Sequence, residues 1–121
     1  DIKGISYGLK EILKLKPVSY KYKKEISPND KVRLGLIAQD VEAVIPEAVV
    51  SEDIDFDPVK GEKKVIKSEY KALNYDELIP VLVKALQEQQ ILIDELYKAN
   101  LEQNSRINDL EDIRRGTKLN E

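Results

Sequence analysis

Residues 74–96 read NYDELIPVLVKALQEQQILIDEL and predict the beginning of a long helix. Asn74 is a good capping residue, and Glu77 follows it three positions later, which together form a helix-start signature. Pro80 falls just inside this start, where a proline costs at most about one backbone hydrogen bond. No further Gly or Pro interrupts the chain before Gly116. About 40 residues could therefore extend roughly 60 Å as one helix, at about 1.5 Å per residue.

Apolar residues recur along this helix in steps of three and four. The resulting stripe is narrower than the apolar face of a helix that packs on its own domain, so it predicts a coiled coil of several chains. Its three polar positions lower stability but fix the register of the helices. The predicted oligomer seam consists of Ile79, Leu82, Leu86, Gln89, Ile93, Leu96, Asn100, Gln103, Ile107 and Leu110. Its mixture of Ile and Leu leans toward two strands by rule, so the helix alone leaves dimer and trimer open.

The first half of the chain has the patterns of short helices and strands. Apolar residues at helical spacing predict a helix over residues 7–16, which Pro17 ends. Alternation over residues 18–23 predicts a half-buried strand, and the apolar run 32–38 is expected to return as its antiparallel partner. From residue 38 the period changes to three and four, which predicts a helix of two to three turns that ends at Pro46.

Two further β-rich pieces, residues 48–51 and 65–75, precede the long helix. The acidic and turn-forming residues between them predict a protruding loop or hairpin. The fold class is therefore α+β, with a small head of short helices and antiparallel strands followed by a long C-terminal helix that forms the coiled coil. The predicted division is a head over residues 1–75 with the protruding loop near 52–64, a coiled-coil helix over 76–116, and a flexible tail over 117–121.

The composition excludes several classes of function. The chain of 121 residues has neither cysteine nor histidine, which removes disulfides, thiol chemistry and the usual near-neutral base. A net charge of −3 argues against nucleic acid as the main partner, since phosphate binding needs a basic surface. The longest apolar runs, such as residues 78–83, are far shorter than the roughly 20 residues that span a bilayer. We therefore predict no nucleic acid, no membrane, no cofactor and no metal for this chain.

The first third of the chain is nevertheless locally basic. Its lysines either form an anion-binding face or are solvated residues on a helix and a strand edge, and the second interpretation is favoured because charge runs usually face solvent. These residues are Lys10, Lys14, Lys16, Lys21, Lys23 and Lys24. The chain also begins at Asp1 and contains no methionine, which predicts that it is a processed product or an excised part of a longer chain.

Two other patterns suggest chemistry. Ser6 and Lys10 are four residues apart, as a serine nucleophile and a lysine base on one helix face would be, although Ser6 fits better as the cap of the first helix. Asp53, Asp55 and Asp57 have the alternate spacing that opens a calcium loop. Pro58 stands where such a loop needs its glycine, so we interpret this segment as a solvated loop.

Residues 35–49, GLIAQDVEAVIPEAV, and residues 72–89, ALNYDELIPVLVKALQEQ, resemble the C-terminal intramolecular chaperone domain of phage tail spikes, fibres and appendage proteins, the self-cleaving S74 peptidase family. The resemblance covers about residues 2–97. It implies a homotrimer that acts on the stem of its own parent fibre. It also implies a place in the host cytoplasm during virion assembly, followed by release from the mature virion.

The family's catalytic dyad is a serine and a lysine in an S-D-x-x-L-K stretch. That stretch precedes the segment that residues 2–9 match, so the resemblance places the dyad upstream of Asp1 and assigns no catalytic residue to this chain. The parent protein would be the self-cleaving serine endopeptidase. An alternative from another class is a coiled-coil oligomerisation or adaptor domain of a surface protein that is never cleaved. An independent hydrolase has little support, because the chain offers no convergent cluster of catalytic groups.

Overall fold

The computed structural model describes residues 1–119, apart from the side chains at positions 53, 68, 69 and 117–119. The chain divides into two compact units, residues 1–85 and the residues from Leu86 onward. The helices and strands are α1 (Leu9–Ile12), β1 (Val18–Tyr20), β2 (Arg33–Gly35), α2 (Ala38–Glu42), β3 (Val49–Asp57), β4 (Glu62–Leu73) and α3 (Leu78–Leu119). Short 3₁₀ helices, Pro46–Ala48 and Tyr75–Glu77, precede β3 and α3.

Helix α1 is shorter than the helix predicted over residues 7–16. It begins after Gly8, whose backbone N–H donates to the Glu11 carboxylate at 3.1 Å. Ser6 is therefore not the cap of this helix, and that prediction was wrong. The chain leaves the helix after Ile12 in tighter turns, with the Leu15 N–H bonded to the Ile12 carbonyl at 3.1 Å.

Strands β1 and β2 form the predicted antiparallel pair, with Val18 opposite Gly35. The pairing ends at Gly35, three residues before the predicted end of the second strand, because the next backbone N–H has a different partner. The Leu36 N–H donates to the Tyr75 hydroxyl at 3.1 Å. This bond ties the end of β2 to the 3₁₀ turn that leads into α3.

Strands β3 and β4 form an antiparallel hairpin that contains the predicted loop near 52–64. Its turn is closed by the Gly61 N–H, which donates to the Asp57 carbonyl at 2.8 Å, and Gly61 has a φ of 67° that favours glycine. The Asp57 carboxylate accepts from the backbone N–H groups of Val59 and Lys60. The segment is therefore a hairpin, the second form that the sequence allowed. Whether it protrudes stays a prediction.

The start of α3 follows the predicted signature. The Asn74 side chain accepts from the Asp76 backbone N–H at 3.2 Å and caps the 3₁₀ turn, and α3 continues directly from it at Leu78. The helix extends through Leu119, three residues beyond the predicted boundary, and residues 120 and 121 lie outside the described residues. The predicted flexibility of the tail stays a prediction.

The core of the first unit brings together the two stretches that carry the family resemblance. Residues 35–49 contribute Val41, Ile45 and Ala48, each at most 1% exposed. Residues 72–89 contribute Leu78, Val81 and Ala85, each at most 4% exposed. Because these side chains bury the beginning of α3, the compact unit ends at residue 85, ten residues beyond the predicted head boundary.

The antiparallel strands and the long C-terminal helix confirm the predicted α+β class. Assembly into a trimeric coiled coil stays a prediction, since the structure contains one chain. Among the residues the structure describes, no helix combines the length and the apolarity needed to cross a bilayer.

Gly35 stands at a close approach between β2 and two tyrosines. A Cβ atom there would lie 2.6 Å from the Tyr75 hydroxyl oxygen and 3.1 Å from Cε1 of Tyr20. We expect Gly35→Ala to lower the free energy of unfolding by about 1–3 kcal/mol, because the tyrosines must shift and the bond to Leu36 is strained. Urea unfolding followed by circular dichroism would measure the loss.

The matched control for this prediction is Gly4→Ala, since a Cβ at Gly4 would meet no atom within 4 Å among the described residues. This variant should unfold at the wild-type urea concentration. Equal midpoints for the two variants would contradict the assigned role of Gly35.

Candidate oligomerisation site

The seam predicted from the sequence lies on α3 and is exposed. The exposed fraction of its seven apolar residues ranges from 45% for Leu82 to 69% for Leu96. Within the described part of α3, no side chain from Leu86 to Gly116 is buried. Apolar side chains repeated at this exposure form a contiguous stripe of the kind that marks an interaction surface.

The seam alternates between the two inner positions of a heptad, a and d. Ile79, Leu86, Ile93, Asn100 and Ile107 take position a, and the other five residues of the seam take position d. The polar layers therefore fall at Gln89, Asn100 and Gln103, all of them exposed. The layers between Gln89 and Asn100 and those at both ends of the seam are apolar. When parallel helices are in register, each apolar layer therefore meets an apolar layer and each amide meets an amide.

The positions that flank the seam, e and g, distinguish between orientations of neighbouring helices. In a parallel, in-register coiled coil, a g residue lies beside the e residue five positions further along the neighbouring helix. That relation pairs Leu92 with Tyr97 and Arg106 with Glu111. Among the described residues, neither Arg106 nor Glu111 forms an ion pair within its own chain. Both flanking pairs are thus complementary between parallel copies.

An apolar groove lies in the first unit beside the beginning of the seam. One wall is formed by Ile12, Leu15 and Leu36, and the other by Leu78, Ile79 and Leu82. Its volume is about 360 Å³. Pro17 and Tyr75 complete its lining. Two of the eight lining residues, Ile79 and Leu82, are also the first two residues of the seam. The groove therefore includes the first two residues of the seam, at the start of α3.

Polar contacts hold the N-terminal segment on the first unit. The Tyr7 hydroxyl donates to the Glu47 carboxylate at 3.0 Å, and the Lys84 ammonium donates to the Ile5 carbonyl. The bond to Glu47 raises the pKa of Tyr7. The bond from the Gly8 backbone lowers the pKa of the Glu11 carboxyl. These contacts fix the path of the chain directly before α1.

The other candidate sites do not assemble. Ser6 lies outside α1, so its four-residue spacing from Lys10 does not place the two on one helix face. Asp55 is on β3 opposite Lys64, and the Asp53 side chain lies outside the described residues. Among the described side chains, no group of three or more Asp and Glu residues could hold a metal ion. The six lysines of the predicted basic face are all exposed, as solvated side chains are.

Comparison with protein families gives a match over the part of the chain that contains α1, β1, β2 and α2, together with the buried residues Val41, Ile45 and Ala48. Residues 1–50 match the peptidase S74 family model, the chaperone of endosialidase. The match confirms the resemblance inferred from the sequence. No curated protein matches the chain.

The S74 match includes residues 35–49, one of the two stretches that carry the resemblance. Their buried side chains, Val41, Ile45 and Ala48, form part of the core. Asp40 is exposed, and the half-buried Glu42 carboxylate accepts from the Lys71 ammonium at 2.9 Å. The match ends before β4 and α3, so the seam is supported by its own pattern and exposure. The heptad pattern alone could have identified the flanking pairs. The groove could not be found in this way, because its two walls are separate in the sequence.

Proposed function

We propose that this domain is an intramolecular chaperone that drives trimerisation and folding of a phage tail fibre or spike. Three copies associate through the seam of α3, and the partner of the domain is the stem of its own parent fibre protein. The S74 match supports the chaperone role. The trimer and the tail-fibre context are carried over from the resemblance to that family.

The observation that carries the proposal is the exposed apolar seam along α3. Burial of seven Ile and Leu side chains per chain is a large driving force: full burial of one such side chain stabilises by about 1.5–3 kcal/mol, and each of these is still roughly half exposed. Once the helices associate, the attached fibre segments search for their partners at a high effective concentration. A slow encounter of three separate chains thereby becomes a local one.

The flanking residues support a parallel assembly. Leu92 beside Tyr97 of the next copy adds apolar contact, and Arg106 beside Glu111 adds an ion pair on each of the three interfaces. Exposed ion pairs contribute little energy, so this pair acts mainly on register and orientation. A parallel arrangement is the one a fibre needs, because all three chains then enter the stem from the same end.

The small core of the first unit also supports assembly. Six apolar side chains are buried among the described residues of a unit of 85 residues. Domains of this size are marginal when they rely on a single small core, and oligomerisation is a common remedy. The head therefore gains stability from the trimer that it helps to form.

Release completes the proposed cycle. A serine and a lysine upstream of Asp1 would cut the parent chain, with the serine as nucleophile, the lysine as base and water hydrolysing the acyl intermediate. The Tyr7 and Lys84 contacts would hold the chain that leads to this cut. Assembly takes place in the host cytoplasm, and the domain is absent from the mature virion. The β3–β4 hairpin is proposed to contact the stem before release.

The test is expression of the longer parent with its upstream segment. We expect a cut just before the upstream serine, while a Ser→Ala change at that serine leaves a full-length product that is still trimeric. Mass spectrometry locates the cut, and light scattering gives the oligomer mass. An uncut, oligomeric wild-type parent would favour the alternative of an adaptor domain, and a monomeric parent would refute both.

A further inference from the structure

We infer that the apolar groove beside the start of α3 is a second contact between copies, which receives Val83 of the neighbouring chain. This inference rests on the proposed parallel assembly and extends its interface from the helix to the head. The occupant is thus a second copy of this chain.

The first argument is the position of the groove around α3. Leu78, Val81 and Ala85 face the core of their own unit and are at most 4% exposed. Ile79 and Leu82 lie on the adjacent side of the helix, 56% and 45% exposed. Because the groove spans Leu78, Ile79 and Leu82, it lies where the helix turns from its own core toward the seam. A helix packed on the seam therefore passes next to this groove.

The second argument identifies the residue that enters. Leu78 occupies a g position, and the residue beside it on a parallel neighbour is the e residue five positions further along, which is Val83. In its own chain Val83 is 49% exposed and does not line the groove. An apolar residue at e, where coiled coils often have Glu or Lys, requires an apolar partner, and the groove supplies one.

The third argument is the complementarity further along the helix. The same five-residue relation that brings Val83 to Leu78 pairs Arg106 with Glu111 and Leu92 with Tyr97. One parallel register satisfies all three pairs. The groove is therefore filled by the arrangement that the rest of the helix already favours.

Cross-linking tests the inference, since the chain has no cysteine of its own. In the double variant Leu15→Cys, Val83→Cys, a short bismaleimide is expected to link neighbouring chains into covalent dimers and trimers on a denaturing gel. The matched control is Leu13→Cys, Val83→Cys, because Leu13 is close in sequence but 75% exposed and outside the groove. The control should remain a single-chain band.

The outcomes separate this inference from the proposed function. A double variant that is trimeric by light scattering but yields no linked chains would overturn the groove contact and leave the seam intact. If the double variant and the wild-type chain are both monomeric, the proposed assembly is overturned as well. If Leu15→Cys unfolds the head, Pro17→Cys on the exposed rim of the groove replaces it with the same expectation.

Discussion

The double variant Ile93→Asp, Leu96→Asp is expected to be a monomer at micromolar concentration, whereas the wild-type chain is expected to be a trimer. The two residues occupy successive a and d layers in the middle of the seam and are 50% and 69% exposed in the single chain. Each substitution removes about 1.5–3 kcal/mol of burial and adds the cost of enclosing a carboxylate. The dissociation constant should rise by at least about a thousandfold. Sedimentation equilibrium measures it directly.

A control with the same chemistry is available on the same helix. Ile91 and Leu101 are 57% and 52% exposed and lie outside the seam. The double variant Ile91→Asp, Leu101→Asp carries the same two types of substitution and should remain a trimer. If both double variants have the wild-type mass, or if the wild-type chain is itself a monomer, the seam does not mediate assembly.

Ile45→Ala is expected to have the largest effect on the stability of the head. Ile45 is 1% exposed and packs in the core with Val41, Ala48, Leu78 and Val81. Removing its three outer carbon atoms leaves a cavity and costs about 2–5 kcal/mol. Because small domains have only about 5–15 kcal/mol of stability in total, a large part of the fold's margin is lost. Urea unfolding at a fixed protein concentration measures the change, since oligomer stability depends on concentration.

Ile2→Ala removes the same atoms from a fully exposed position and should leave the midpoint unchanged. An Ile45→Ala midpoint within experimental error of this control would contradict the assigned core. The seam variant and the core variant also separate two properties of the chain, its assembly and the stability of its head. The double variant Ile93→Asp, Leu96→Asp should lower the mass of the oligomer, and both of its substitutions lie outside the core. Ile45→Ala should destabilise the head through the cavity that it leaves.

Much of the fold could be predicted from the sequence because its signals are local. Asn74 caps the turn before α3 as expected, since its side-chain oxygen accepts from a backbone N–H two residues away and needs no distant partner. The antiparallel β1–β2 pair also follows from alternation and an intervening turn. The class of the fold was correct for this reason.

Two differences from the sequence prediction arise where a distant residue decides the outcome. Strand β2 ends early because the Leu36 N–H bonds to Tyr75, 39 residues away. The first compact unit includes the first turns of α3 because Leu78 and Val81 pack against buried residues from the 35–49 stretch. The hydrophobic period and the residue propensities of a segment do not indicate which distant residues it will contact. For α1 the error was local: Gly8 with Glu11 formed the start that had been assigned to Ser6.

The candidate oligomerisation site also has one part that the sequence predicts and one part that it does not. The ten residues of the seam are evident in the sequence because a heptad repeat is a property of one helix, and every apolar member is exposed in the structure. The groove needs Ile12, Leu15 and Leu36 from three separate places to meet α3. Only folding creates that surface.

By itself, the sequence determined the long helix, its narrow apolar stripe and its capped start, because each depends on residues within a few turns of one another. Only the tertiary structure decided which part of the helix is buried in the head and which part is free to contact another chain. The physical reason is that burial depends on the atoms that surround a side chain, and those around Leu78 and Val81 include Val41, Ile45 and Ala48, which are 30 or more positions away.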